Sequence, residues 1–252
     1  MDRHSPSCFV RGVTPEHRRA RLAGFALGTC AAACWGLGPV ATKGALAGFS
    51  PEVVGVVRLA TAAAFFRILA GRGTRWLPGD RWSALAGVAL GVDFLLYNYG
   101  VRLTSAALAG LLINFGQVSN VALARLVLRE SLTARRLFGA ALTLTGVAIV
   151  NATGGLHGGG SLVGNVLIML ASAAWSTYAV AQQRVPHRSG NVFRLLAPIF
   201  VAATLVSALA LVVPSAWENP GGRTPLLMLA LLAGACTIAP YILFSRGRSC
   251  ST

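Results

Sequence analysis

Long runs of apolar residues, separated by short connections rich in Gly, Pro or charge, recur along the whole chain. Each run is about 20 residues long, which is the length an α-helix needs to cross the hydrocarbon core of a bilayer. The runs lie at about 22–41, 52–70, 82–100, 104–126, 135–151, 162–182, 193–213 and 225–244. The pattern predicts an all-α membrane protein, a polytopic helical bundle of about eight transmembrane helices.

The first and the sixth of these runs are similar to each other. Residues 22–40 read LAGFALGTCAAACWGLGPV and residues 162–180 read LVGNVLIMLASAAWSTYAV, so that Trp35 aligns with Trp175, 140 positions later. The second copy begins five spans after the first, and an odd number of spans makes it enter the membrane from the opposite side. We therefore expect a bundle built from two inverted repeats.

The second repeat is shorter than the first. A shift of 147 positions aligns Gly87 of the third run with Gly234 of the eighth, and the fourth and fifth runs find no counterpart before Thr252. We therefore expect the second repeat to be incomplete. The predicted organisation is a basic cytoplasmic segment at 1–21, a first repeat of five helices at 22–151 and a second repeat of three helices at 162–247.

Composition and charge agree with this organisation. Of the 252 residues, 55% are hydrophobic and 12% are charged, whereas soluble domains carry about 25% charged residues. The net charge of +15 would suit a nucleic-acid partner, but the basic residues lie between the apolar runs rather than along one face. Basic connections stay in the cytoplasm, and here they alternate with poorly basic ones. We expect a multi-pass protein of the cell (inner) membrane with both termini in the cytoplasm.

Two sets of short motifs add a resemblance to this picture. The first set is Trp35-Gly36, Lys43, Ser50-Pro51 and Arg58, and the second is the block at 128–133 followed by Gly139 and Gly146-Val147. In this order they resemble the motifs of EamA-type transporters of the drug/metabolite transporter superfamily. The chain departs from that family's pattern at Gln117-Val118, where a proline is common, and in having eight rather than ten helices.

The resemblance implies a secondary transporter that exports a small metabolite, amino acid derivative or drug by alternating access. The implied partners are the lipid bilayer and a small-molecule substrate, with protons as one option for the coupling ion and a homodimer as one option for the assembly. The alternative is a truncated, inactive or accessory membrane protein of the same family. No nucleic acid or cofactor is expected, and the five cysteines show no metal spacing. No enzyme activity is expected either, because the four His residues lie in termini or loops and no P-loop occurs.

Asp93 is the single acidic residue well inside an apolar run. A carboxylate at the bilayer centre costs ~2.5 to 3.5 kcal/mol on insertion scales, so it should face a partner, water or the bundle interior. It is either a site for substrate or proton coupling, or part of a structural ion pair. Arg58 lies at a similar depth, about 9 Å below the outer end of its span. The two side chains could pair, or Arg58 could extend to the membrane interface.

Four further residues complete the predicted substrate pathway. Asn114 and Gln117 share one face of the fourth run, where amides either line a pathway or join helices. Trp35 and Trp175 lie about 20 Å into their runs, where they either pack or contact substrate. The pathway candidates are Asp93, Arg58, Asn114, Gln117, Trp35 and Trp175.

Overall fold

The computed structural model describes residues 15–123, 125–126, 133–152, 160–185, 191–217 and 219–243. The regular elements in these residues are helices, and no strand occurs among them. The α-helices are α1 (Pro15–Gly36), α2 (Gly38–Ala45), α3 (Pro51–Ala70), α4 (Arg81–Leu103), α5 (Ala106–Leu112), α6 (Phe115–Leu123), α7 (Ala134–Ala152), α8 (Leu162–Arg184), α9 (Phe193–Ala208) and α10 (Arg223–Ala233). The all-α prediction is confirmed.

Seven helical segments of the described residues are long and apolar enough to cross a membrane. They are Leu22–Ala45, Pro51–Ala70, Arg81–Leu103, Ala106–Leu123, Leu162–Arg184, Phe193–Val212 and Arg223–Leu243. The fifth predicted run forms α7, but the apolar part of that helix is the shorter stretch Leu137–Gly146. The described residues thus contain seven spans of full length, where the sequence pattern predicts about eight.

Side-chain caps explain where several helices begin. Ser50 precedes α3 and accepts a hydrogen bond from the amide of Val53, with Pro51 in the first turn, where its missing amide hydrogen costs nothing. Asp80 precedes α4 and accepts bonds from the amides of Trp82 and Ser83 and from the Ser83 hydroxyl. Burial raises the pKa of Asp80, but these hydrogen bonds outweigh it and leave the pKa below its ordinary value.

The helices pack around one large core and two smaller ones. The large core joins α3, α4, α8 and α9 and contains many aromatic rings, among them Phe66, Phe200 and Tyr241. One smaller core lies between α2, α3 and α10, around Val54 and Leu232. The other lies between α4, α5 and α8. The space between the large core and the two smaller ones is where a cavity forms.

Some predictions fall wholly or partly outside the described residues. They concern most of the basic segment at 1–21, the motif block at 128–132 and the end of the second repeat after residue 243. The division into two inverted repeats stays a prediction.

Candidate functional site

A cavity of about 280 Å³ lies in the middle of the bundle. Its walls come from six of the seven spans, and α9 is the span that does not contribute. The lining residues are Trp35, Gly38, Pro39, Arg58, Asp93, Phe94, Tyr97, Ile113, Asn114, Gly116, Gln117, Asn120, Trp175, Ser176, Cys236 and Tyr241. The six predicted pathway residues therefore meet around one cavity, although they come from five different spans.

Arg58 is buried on the α3 wall of the cavity, with 6% of its surface exposed. Its Nε donates a hydrogen bond to Oγ1 of Thr237, 3.2 Å away. The guanidinium carbon lies 4.6 Å from the centre of the Phe94 ring, within the range of a cation–π contact. Arg58 therefore does not extend to the membrane interface, which was one of the two options left by the sequence.

Asp93 lines the same cavity from α4, and it too is 6% exposed. Among the described residues, no ion pair of 4 Å or less joins it to Arg58, and no hydrogen bond to its carboxylate is present. Removing a charge from water costs several kcal/mol unless a partner compensates. The cavity is thus bordered by an acidic and a basic side chain that make no direct contact with each other.

Thr237 is a site residue that the sequence did not reveal. It lies in a π-helical turn, Gly234–Ile238, that continues α10, and its hydroxyl donates to the carbonyl of Leu232 at 2.8 Å. Pro240 lacks an amide hydrogen and so cannot bond the carbonyl of Cys236 in α-helical register. Such turns occur frequently at functional sites. Pro240 was the available signal, but a proline predicts a bend without saying which side chain the bend presents.

Three aromatic rings meet at one wall of the cavity. The Trp35 and Trp175 ring centres are 5.6 Å apart, and Tyr241 lies 5.9 Å from Trp35 and 6.0 Å from Trp175. All three pairs have the edge-on geometry that aromatic quadrupoles favour, worth about 0.5–1.5 kcal/mol per pair beyond burial. The two tryptophans aligned by the internal repeat are therefore direct neighbours.

The fourth span is broken where it borders the cavity. It ends as α5 at Leu112 and resumes as α6 at Phe115. Nδ2 of Asn114 donates to the carbonyls of Gly110 and Leu111, which precede the break. The contact with the neighbouring helix is made instead by the Ser176 hydroxyl, which donates to the carbonyl of Gly116 at 2.7 Å. Asn114 and Gln117 are both exposed and line the cavity.

The sequence model of the EamA-like transporter family matches residues 22–152, which is more than half of the chain. The chain belongs to this family. One crystal structure shares the fold of this EamA-like chain with a TM-score of 0.61 and 24% sequence identity, covering 91% of this chain and 79% of the other. No curated protein matches the sequence. The chain is accordingly a multi-pass membrane protein of a transporter family.

The motif residues of this EamA-like chain divide between the cavity and one end of the bundle. Trp35 and Arg58 line the cavity. Lys43 and Ser50 lie beyond it, near the ends of their helices, where they bond to distant segments. Glu52 is a second buried acid that the sequence did not single out, because it stands at the edge of its apolar run. The Tyr99 hydroxyl donates a hydrogen bond to its Oε1.

Proposed function

We propose that this protein is a secondary transporter that exports a small molecule across the cell membrane by alternating access, with the cavity as its binding site. The observation that carries the proposal is the burial of Arg58 and Asp93 in one cavity without an ion pair between them. Burying two charges is costly, and a ligand that contacts both would compensate the cost. A volume of about 280 Å³ suits a small metabolite, amino acid derivative or drug.

The two charged groups are proposed to have different roles. Arg58 would offer the guanidinium hydrogens that Thr237 does not use to an acceptor or anionic group of the substrate. Asp93 would accept from a donor or cation of the substrate, or bind a proton when no cation is present, because a lone buried carboxylate is costly in its charged form. Protons are accordingly the proposed coupling ion.

The test is transport by purified protein in liposomes with an imposed pH gradient. Radiolabelled neutral amino acids serve as metabolite probes and ethidium as a drug probe. For a transported probe, Asp93→Asn should abolish gradient-driven accumulation while leaving exchange of the probe measurable. Arg58→Gln should reduce both by at least about tenfold, the effect of losing one charge-assisted hydrogen bond.

The matched controls are Asp80→Asn and Arg67→Gln, which change the same residue types outside the cavity and should transport normally. Full gradient-driven transport by well-folded Asp93→Asn would refute proton coupling through this residue. If the unmodified protein is folded but moves none of the probes, the alternative of an inactive or accessory membrane protein is favoured.

A further inference from the structure

Lys43 joins two walls of the cavity at one end of the bundle. From the last turn of α2, its Nζ donates to the carbonyl oxygens of Val101 at 2.8 Å, Arg102 at 3.1 Å and Thr104 at 2.7 Å. An ammonium group has three hydrogens, so all of them are used. The acceptors form the end of α4, where the helix dipole is negative and attracts a cation. The side chain thus ties α2 to the end of α4.

This contact lies directly beyond the cavity. Lys43 is eight residues after Trp35, and Val101 is eight residues after Asp93. At 1.5 Å per residue, both ends of the contact are about 12 Å beyond Trp35 and Asp93, and about 6 Å beyond Pro39 and Tyr97, which also line the cavity. Lys43 therefore connects the wall formed by α1 and α2 to the wall formed by α4, at equal heights above the charged residues.

Other hydrogen bonds join segments that are distant in the sequence at the same end of the bundle. The Gly221 amide donates to the carbonyl of Gly48 at 2.9 Å, and the Ser50 hydroxyl donates to the carbonyl of Ala216 at 2.9 Å. The Ser50 amide also donates to Oδ1 of Asn219 at 2.7 Å. These bonds join the connection before α3 to the connection before α10. We call them, together with the Lys43 contacts, the seal.

The internal repeat has no equivalent of Lys43 in its second copy. The alignment that superposes Trp35 on Trp175 places Gln183 at the position of Lys43. Gln183 is exposed, and its Nε2 donates to the carbonyl of Ala179 in its own helix at 3.3 Å. The lysine contact is thus particular to one end of the bundle.

We propose that Lys43 is the latch of the gate at this end, so that its release from the end of α4 opens the cavity towards residues 46–50, 213–217 and 219–222. The inference rests on the proposed alternating access, because a transporter of this kind must break the seal once in each cycle. Lys43 does not line the cavity. It is therefore a positioning residue, which sets the balance between two states rather than binding the substrate.

Cys236 offers a reporter that needs no substrate, because it lines the cavity and is 1% exposed. The other four cysteines, Cys8, Cys30, Cys34 and Cys250, are replaced by Ala, and the protein is placed in liposomes. A membrane-impermeant methanethiosulfonate reagent is added from the side of the seal, which an Ala47→Cys protein identifies because Ala47 is exposed there. Lys43→Met should increase the rate of Cys236 labelling about tenfold, as expected for losing charge-assisted hydrogen bonds.

Arg223→Met is the matched control, because Arg223 is an exposed cation at the same end that makes no contact in the seal. Its labelling rate should stay at that of the parent protein. An unchanged rate in folded Lys43→Met, or an equal rise in Arg223→Met, would overturn the latch. If Lys43→Met does not fold, Lys43→Gln decides the question by the same criterion. If Lys43→Met accelerates the labelling of Cys236 in a protein that transports nothing, the proposed role of Lys43 stands and the transport proposal is refuted.

Discussion

Arg58 depends on one neighbouring side chain for its position in the cavity. Its Nε has Thr237 as its hydrogen-bond partner, and its guanidinium lies against the Phe94 ring. Arg58 and Asp93 both border the cavity. Arg58 is the one cation among the described residues that line the cavity, and a single hydroxyl in the π-helical turn holds its Nε.

Replacing this hydroxyl should lower the stability of the protein. Thr237→Val keeps the shape of the side chain but leaves Nε of Arg58 buried without a partner, which should lower the free energy of unfolding by about 1–3 kcal/mol. Thr237→Ser should retain most of the stability. Thermal unfolding in detergent measures both. The control is Thr204→Val, which removes only a bond to the carbonyl of Phe200 within one helix. Equal losses in the two Val variants would show that Arg58 gains nothing from Thr237.

The depth of Arg58 and Asp93 in the membrane was predictable from the sequence, but the directions of their side chains were not. Counting 1.5 Å per residue placed Arg58 and Asp93 at similar depths, and both do border one cavity. The rotation of each helix about its axis decides whether two such side chains touch, and a run that is apolar all round carries no signal for that rotation. The partnership of Arg58 with Thr237 has the same origin, because it depends on one irregular turn.

At the scale of helices, α4 packs closely against α9. A Cβ added to Gly87 would lie 2.6 Å from Cβ of Ala202, and one added to Gly91 would lie 2.7 Å from the carbonyl oxygen of Ala203. Contacts this short require the two backbones to move apart. The spacing of these glycines along α4 is the small-residue pattern found where membrane helices approach closely.

Glycine substitutions should therefore have opposite effects in α4 and α1. Gly91→Ala should destabilise the protein by about 1–3 kcal/mol, because overpacking forces backbone shifts. Gly28→Ala is the control, because no atom lies within 4 Å of an added Cβ there. It should be neutral or stabilising by up to about 1 kcal/mol through higher helix propensity. A Gly91→Ala protein as stable as the control would mean that α4 and α9 can separate at little cost.

The apolar runs predicted which segments are helical, but they did not predict the breaks inside these segments. The run at 104–126 is uniform enough to predict one helix, yet it divides after Leu112. Ser105 could be recognised as a helix start from its residue type. The break at Ile113 and Asn114 depends on tertiary contacts, among them the bond from Ser176 to the carbonyl of Gly116. The sequence around the break does not indicate that Ser176 is its partner.

For the whole molecule, the alternation of basic and poorly basic connections predicts the orientation. The connection at 71–80 contains Arg72 and Arg75, whereas residues 46–50 contain no basic residue. Basic connections remain in the cytoplasm. The seal should therefore face outwards, and the structure would represent a protein closed to the outside.

Cysteine labelling in intact cells tests this orientation. In the protein whose native cysteines are replaced by Ala, Ala47→Cys should react with an impermeant maleimide added outside. Leu77→Cys, which is also at an exposed position, should react only after the membrane is permeabilised. The two sites serve as controls for each other, and a reversed pattern would invert the predicted topology. Each reaction should be blocked by prior treatment with a permeant thiol reagent.

The opposite charges of the cavity also have an electrical consequence. A membrane potential of 100 mV acts on one unit charge with about 2.3 kcal/mol when that charge crosses the whole membrane. Arg58 and Asp93 carry charges that sum to zero when both are ionised, and they border the same small volume. Any shift of the cavity relative to the membrane then moves no net charge while Asp93 is ionised, whereas a proton on Asp93 leaves the charge of Arg58 uncompensated and makes that step sensitive to voltage. The current that accompanies transport is consequently set by the charge of the cargo together with any proton that Asp93 carries.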